Sequence, residues 1–474
     1  MKVIRTVCWL GLCLLLGGRS HAVTLSVLPG TSIQAKIDLA QPGDIVAIFG
    51  GTYTQDITIN KAIRLVEVAG QEVTILGSIA FTGVVNAPPF EGFKYGTPGR
   101  GLTVANTTGM VLRGLDGTGG AGVSASGTSI VHIVDSDLTD VSTAEATELK
   151  LWNSSINNLT ASGPKTEVWN ATLRGSLVQH AGSLQTAGLT IAGNFNTGGG
   201  ALKTVAFRTK VAGDCTWRSK KNWFGYSEAR SFNFIEQTDA KVVVVGNKID
   251  RKGAEANGIY GGVSNSKILI TNNRIVGVGF NHSTYEYPVS NNENGIDLRG
   301  GGNTAIVANN YCQLQWYGGR SVYGGIQGYG IAVHFEQATI INNIVYGASH
   351  GISAPFGAVA QNNLYWASPN GGAYEANGVV AEGTLYIDPL FVVGEEPKLQ
   401  ATSPCLNAGT PDPRYNDRDA SRNDIGPSGG AWFDPDGWTT TKPVVLSFDI
   451  SSDIVLEGEQ TTIDLSEGQA ISQP

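Results

Sequence analysis

The feature that most limits what this chain can become is an internal repeat with a constant interval. Four segments begin with a Gly-Ile pair, at Gly258-Ile259, Gly295-Ile296, Gly330-Ile331 and Gly351-Ile352. Each is followed by a second apolar stretch that ends in an asparagine pair: Asn272-Asn273, Asn309-Asn310, Asn342-Asn343 and Asn362-Asn363. Ile259 to Asn272 and Ile296 to Asn309 are both 13 residues, and Phe234 to Asn247 repeats the interval one unit earlier. Upstream, tetrads starting at Asp135, Asn153 and Asn170 recur at 18 and 17 residues, beside short alternating apolar runs such as Ile130–Ile133 and Leu149–Leu151. Alternation of this kind marks a strand with one buried face. A fixed interval under loops of variable length predicts stacked coils of one solenoid, an all-β parallel β-helix. Asparagine suits its turns, because it tolerates the left-handed backbone and can hydrogen-bond from coil to coil.

Composition agrees. Glycine makes up 63 of 474 residues and charged residues only 15%, against a usual quarter or so, as expected of a chain rich in tight turns. Lys2 and Arg5 followed by the apolar run Val7–Leu16 and the small-residue site Ser20-His21-Ala22 predict a signal peptide over residues 1–22. The run is too short for a membrane span, which takes roughly 20 residues. The expectation is an exported, secreted or cell-surface protein with no membrane span. Cleavage would remove Cys8 and Cys13, leaving Cys215, Cys312 and Cys405, which match no metal spacing and read as buried thiols.

A family resemblance follows from both ends of the repeat. Ser32-Ile33-Gln34, Gln41-Pro42-Gly43-Asp44, Gly51-Thr52-Tyr53 and Ile59–Ile63 resemble the opening of secreted right-handed parallel β-helix proteins of the pectin-lyase-like superfamily. Ile33, Ile37 and Ala40 share one face of a short helix that would cap the open end of the core. Ile387–Phe391, Ser403–Gly409 and Asn423–Gly426 resemble the closing coil, over about 386–430, of bacterial surface members. The resemblance covers roughly 24–430 and implies a right-handed β-helix with polysaccharide as partner, but no specific reaction. Residues 434–474 read as a linker from Lys442-Pro443 and the start of an immunoglobulin-like module cut short.

Aligning the coils on Ile259, Ile296, Ile331 and Ile352 places Tyr260, Asp297, Ala332 and Ser353 in one outward column and Gly262, Arg299, His334 and Pro355 in the next. Asp297, Arg299 and His334 are therefore the candidate catalytic group: an acid, a cation and a titratable ring, enough for β-elimination or acid–base hydrolysis. Neighbouring loops add Tyr285, Glu293, Arg320 and His350 as candidate substrate contacts with Tyr260. The plainer alternative is an exposed Asp–Arg pair with no task.

Residues 201–275 hold thirteen Lys or Arg against six Asp or Glu, in a chain of net charge −8. Within them, Trp217, Arg218, Lys220, Lys221 and Trp223 interleave rings with cations, which suits a sugar chain bearing acid groups; a solvated basic loop is the alternative. Nucleic acid is not the expected partner of an exported acidic chain. Asp417, Asp419, Ser421 and Asn423 place oxygens at alternate positions like the start of a calcium loop, although Arg422 stands where that loop has glycine. Calcium is the one cofactor the pattern admits. The combined expectation is a monomer that binds or cleaves polysaccharide, with an acidic cell-surface glycan as the favoured class; the alternative is a non-catalytic surface or adhesion module with the solenoid as spacer.

Overall fold

The computed structural model describes residues 21–120, 122–144, 146–251, 257–279, 294–315, 328–348, 350–367, 380–432, 434–439, 447–450 and 463–466. Residues 1–20 of the signal-peptide stretch, Tyr285, Glu293 and Arg320 lie outside the described residues.

Each coil of the solenoid has three faces. In the coils that carry the repeat, the first face is built from Ile259–Ser264, Ile296–Arg299, Tyr329–Val333 and His350–Ser353. The second comprises Lys267–Thr271, Thr304–Ala308 and Gln337–Ile341, and the third Arg274–Gly279, Tyr311–Gln315 and Ile344–Tyr346. All pair in parallel with the equivalent strand one coil away. The third face is a 15-stranded ladder, and the first two merge into a 26-stranded sheet. The merger occurs where Leu177–Ala187 and Phe195–Phe207 run unbroken round the corner. The result is a right-handed parallel β-helix.

The register follows the sequence alignment. Ile259, Ile296, Ile331 and Ile352 are direct partners and fully buried, as one inward stack. The preceding glycines also face inward at the corner, and a Cβ at Gly330 would overlap Val345 of the third face, as one at Gly351 would overlap Tyr365. Apolar side chains from all three faces fill one continuous core.

The asparagine pairs divide the work of the turn. The first of each pair, Asn272, Asn309, Asn342 and Asn362, adopts the left-handed conformation, with φ of 57°, 54°, 58° and 52°. The second forms the ladder. Asn247, Asn273, Asn310 and Asn343 each give a backbone N–H and a side-chain N–H to the amide oxygen of the next asparagine, at 2.9–3.1 Å, ending on Asn363. In earlier coils serine takes this position, as when Ser136 donates its backbone N–H to Ser154 Oγ at 3.1 Å.

The helix Ile33–Leu39 caps the N-terminal end. Ser32 accepts the Ala35 N–H at 3.1 Å as N-cap, and Ile33, Ile37 and Ala40 are buried beneath the helix. The closing stretch behaves differently from a final coil. It returns along the outside of the solenoid, over the column of left-handed asparagines. Asn309 Nδ2 donates to Asn423 Oδ1 (2.8 Å) and Gly426 O (3.0 Å), Asn272 Nδ2 to Pro427 O (3.1 Å), and Arg208 Nε to Gly437 O (2.9 Å). The turn asparagines thus also offer amides on which a returning chain can lie. Cys215, Cys312 and Cys405 are buried and free. Beyond the return segment, Ser447–Ile450 and Ile463–Ser466 form one antiparallel pair.

Trp217 corrects the sequence reading. It is fully buried, in ring contact with Phe195, Phe224 and Phe232. The strand Asp214–Trp217 alternates out and in, and the core takes the indole, so Trp217 is not a ligand contact.

Candidate functional site

The site grows from three adjacent first-face strands. Tyr260 partners Asp297, and Asp297 partners Ala332. Leu298 partners Val333, and the His334 N–H continues the ladder to Leu298 O at 2.9 Å, so Arg299 and His334 are outward neighbours. Gly262 opposite Arg299 leaves room on the other side.

Asp297 is the centre, and it has no solvent exposure. A buried carboxylate is tolerated only when it is paired and hydrogen-bonded, and this one is. Arg299 donates Nε to Oδ1 (3.1 Å) and Nη2 to Oδ2 (2.9 Å), a two-pronged clamp. Asn294 and Asn257 donate their side-chain N–H groups to Oδ2, at 3.1 and 3.3 Å. His334 Nε2 stands 3.5 Å from Oδ1. Burial pushes the Asp297 pKa up, but hydrogen bonds and positive charge from His334 and Arg299 outweigh it and hold the group below the usual carboxylate range. Arg299 is the mirror case: the bond to Asp297 raises its pKa against partial burial. The Asp297 side chain lies under the other two. Arg299 keeps 49% of its side-chain surface and His334 33%, and the Arg299 guanidinium also sits 5.9 Å from the Tyr260 ring centre.

Sequence reasoning missed Asn257 and Asn294. Their signal was the residue before each Gly-Ile pair. Asn257, Asn294, Tyr329 and His350 form a further outward column, linked by Asn294 N–H to Asn257 Oδ1 (2.7 Å) and Tyr329 N–H to Asn294 Oδ1 (2.9 Å). His350 partners Tyr329, their rings 5.1 Å apart, and burial lowers its pKa. It is therefore on the same face as Asp297, two coils along.

The basic stretch is not brought to this cluster. The strand Asp214–Trp217 lies three first-face steps from that of Asp297, or roughly 14 Å along the axis. Arg218 is taken up by Glu236, Nε to Oε2 at 2.7 Å. Lys220 and Lys221 are exposed at the corner of the first and second faces. Trp223 faces out from the second face and packs half-buried in a cluster with Trp152, Trp169, Phe207 and Trp438.

Of the proposed calcium ligands, Asp417, Asp419 and Ser421 share one turn, and Asn423 is turned away from it. Both heteroatoms of the Asn423 amide face Asn309, and its Nδ2 also reaches Tyr415 O. Asp417 accepts the backbone N–H groups of Asp424 and Gly430, and Asp419 accepts from Ser421 at 3.0 and 2.6 Å. Among the described residues no group of three or more His, Cys, Asp or Glu is placed to hold a metal.

Three-faced coils stack under a capping helix and close on a left-handed residue, asparagine at 153, 170, 272, 309, 342 and 362 and Asp135, Gly188, Arg208, Tyr226 or Gly246 in other coils. The chain has a three-faced parallel β-helix fold. No family model and no curated protein matches it. Among solved structures the β-helix is similar to pectate lyase Pel9A, at 16% identity over 86% of this chain and 97% of that one, with a TM-score of 0.24. It is also similar to a PL6 alginate lyase complex with trisaccharide, at 11% identity over 77% and 85% of the two chains, with a TM-score of 0.27. At these identities the site is read from its own residues.

Proposed function

We propose that this β-helix binds and cleaves an acidic polysaccharide on its first face, with His334 as the proton-transferring residue. The observation that carries the reading is the buried Asp297, which holds both an exposed cation and a partly exposed imidazole. In the mechanism, Asp297 orients the His334 ring through Nε2 and stabilises its positive charge once a proton is gained, which leaves Nδ1 to exchange that proton with substrate. Arg299 has five N–H donors, of which Asp297 takes two. The remainder face a substrate carboxylate, and neutralising that carboxylate acidifies the adjacent C–H bond. His334 removes this proton, a C=C bond forms to the neighbouring carbon as its bond to the glycosidic oxygen breaks, and the departing oxygen takes up a proton from the His334 imidazolium or from water, which is β-elimination. Arg299 and Asp297 act as one unit. Export of the chain and cell-surface location belong to the same proposal.

A panel of acidic and neutral polysaccharides, scored for unsaturated products and for new reducing ends, tests it. His334→Ala should lower the rate on the order of 10²–10⁴-fold, as for loss of a general base, with the melting temperature nearly unchanged. Full activity in His334→Ala on a confirmed substrate would refute the role. One observation favours the alternative, a non-catalytic surface module: Asp297 is fully satisfied by its neighbours, as structural carboxylates are. Binding without turnover across the panel would establish that module.

A further inference from the structure

β-Elimination moves two protons, and His334 accounts for the one removed from carbon. The departing oxygen also needs a proton, and one hydroxyl is placed to give it. Tyr260 stands half-buried on the strand Ile259–Ser264, with Asp297 as its direct partner. A Cβ built on Gly262 would lie 3.2 Å from both the hydroxyl oxygen and Cε1 of Tyr260, so the phenol leans along its own strand and its hydroxyl sits over Gly262. Gly262 is the direct partner of Arg299, and His334 is the outward neighbour of Arg299 on the other side. A phenol, a guanidinium and an imidazole therefore stand in one file across three coils, at steps of about 4.8 Å.

The glycine is part of this arrangement, because a side chain at 262 would press on the phenol. The Arg299 guanidinium lies 5.9 Å from the centre of the ring. Among the described residues none hydrogen-bonds to the Tyr260 hydroxyl, which leaves its proton for a bound oxygen.

We propose that Tyr260 is the general acid of the elimination and gives its hydroxyl proton to the departing glycosidic oxygen. This role rests on the elimination reading of Asp297, Arg299 and His334, and it assigns to Tyr260 the proton otherwise drawn from the imidazolium or from water. A sugar whose carboxylate rests on Arg299 holds the adjacent carbon over the middle of the file. Its C–H bond is offered to His334 on one side, and the oxygen on the next carbon to Tyr260 on the other. The C–H electron pair forms the C=C bond, the C–O pair leaves with the oxygen, and the oxygen takes the phenol proton. The phenolate left behind is beside the Arg299 guanidinium, which stabilises its charge. Solvent then returns a proton to the phenolate and takes one from the imidazolium, so the protein is restored and one ether has become an alkene and an alcohol.

A ring that only packed against Arg299 would need no hydroxyl, so phenylalanine separates the two roles. The probes are methyl glycosides of galacturonate, guluronate, mannuronate and glucuronate, each carrying at C4 either a second sugar or 4-nitrophenoxide. Nitrophenoxide leaves without help from an acid, whereas a sugar alkoxide does not. Tyr260→Phe in the full chain should lower kcat on the sugar-bearing probe on the order of 10²–10⁴-fold, the usual share of a general acid. KM should change little, because the hydroxyl acts only in the transition state. On the nitrophenoxide probe Tyr260→Phe should match the wild type, which also shows that the variant is folded. His334→Ala should lose turnover of both probes. Equal losses on the two probes in Tyr260→Phe, or full turnover of the sugar-bearing probe, would overturn the acid role and leave His334 in place. Turnover of neither probe by the wild type, or of both by His334→Ala, would overturn the elimination and the role of Tyr260 with it.

Discussion

Asp297 shows how one residue combines stability and chemistry. Its folded pKa lies below the ordinary carboxylate range although burial alone would raise it, because the donors and charges of His334 and Arg299 more than offset that cost. A depressed carboxylate stabilises the fold fully above its unfolded pKa of about 3.9 and loses that contribution as pH falls through the lower folded value. Asp297→Asn should therefore lose about 1.5–3 kcal/mol at neutral pH, the range for charged hydrogen bonds. The gap from wild type should close in chemical denaturation as pH drops below about 4. A gap independent of pH would mean that the charge of Asp297 has no part in stability. The same substitution should also lower turnover by releasing the His334 ring, which a purely structural carboxylate would not do.

The asparagine ladder governs the scale of the element. Asn310 accepts two N–H groups from Asn273 and donates its own amide to Asn343 and Ile270 O, all in a buried turn. Replacing it with Ala leaves donors on Asn273 unpaired in a place water does not reach, at about 1–3 kcal/mol for each buried group. Asn310→Ala should therefore lower stability by roughly 2–5 kcal/mol, measured by denaturant unfolding. Asn309→Ala acts through different contacts, since its amide holds the return segment and its backbone is left-handed. A neutral outcome for Asn310→Ala would show that the ladder is decorative.

At the scale of the molecule, the return segment ties distant coils together. Asp434 N–H reaches the Tyr226 hydroxyl at 3.0 Å, Gly437 accepts from Arg208, and the Trp438 ring lies beside Tyr226 with the Lys248 ammonium 4.1 Å above it. In a solenoid each coil otherwise contacts only its neighbours, so such a strap is a long-range link. Truncation after residue 430 should keep the far-ultraviolet β signal. It should lower the melting temperature by about 2–8 °C, the shift expected when these hydrogen bonds and the Trp438 packing are removed from a chain of this size. Tryptophan emission should also move to longer wavelength as Trp152, Trp169 and Trp223 become wetter. An unchanged melting curve and emission would show that the strap contributes nothing.

Sequence alone determined the coil. Gly-Ile starts and Asn-Asn ends recur because each coil must meet the same two demands, an inward aliphatic stack and a left-handed corner, and these demands are local and periodic. The same periodicity placed Arg299 beside His334, since strands that stack their isoleucines must also align the residues after them. Tertiary structure decided what periodicity does not encode. The strand Asp214–Trp217 fits both a surface loop and a strand with Trp217 turned in, and only the space among Phe195, Phe224 and Phe232 selects the latter. Asn423 carries calcium-like spacing with Asp417, yet its amide oxygen is taken up by Asn309, in a coil formed more than a hundred residues earlier. Such features arise from contacts between residues far apart in the chain, and no interval along the sequence records which of them will meet.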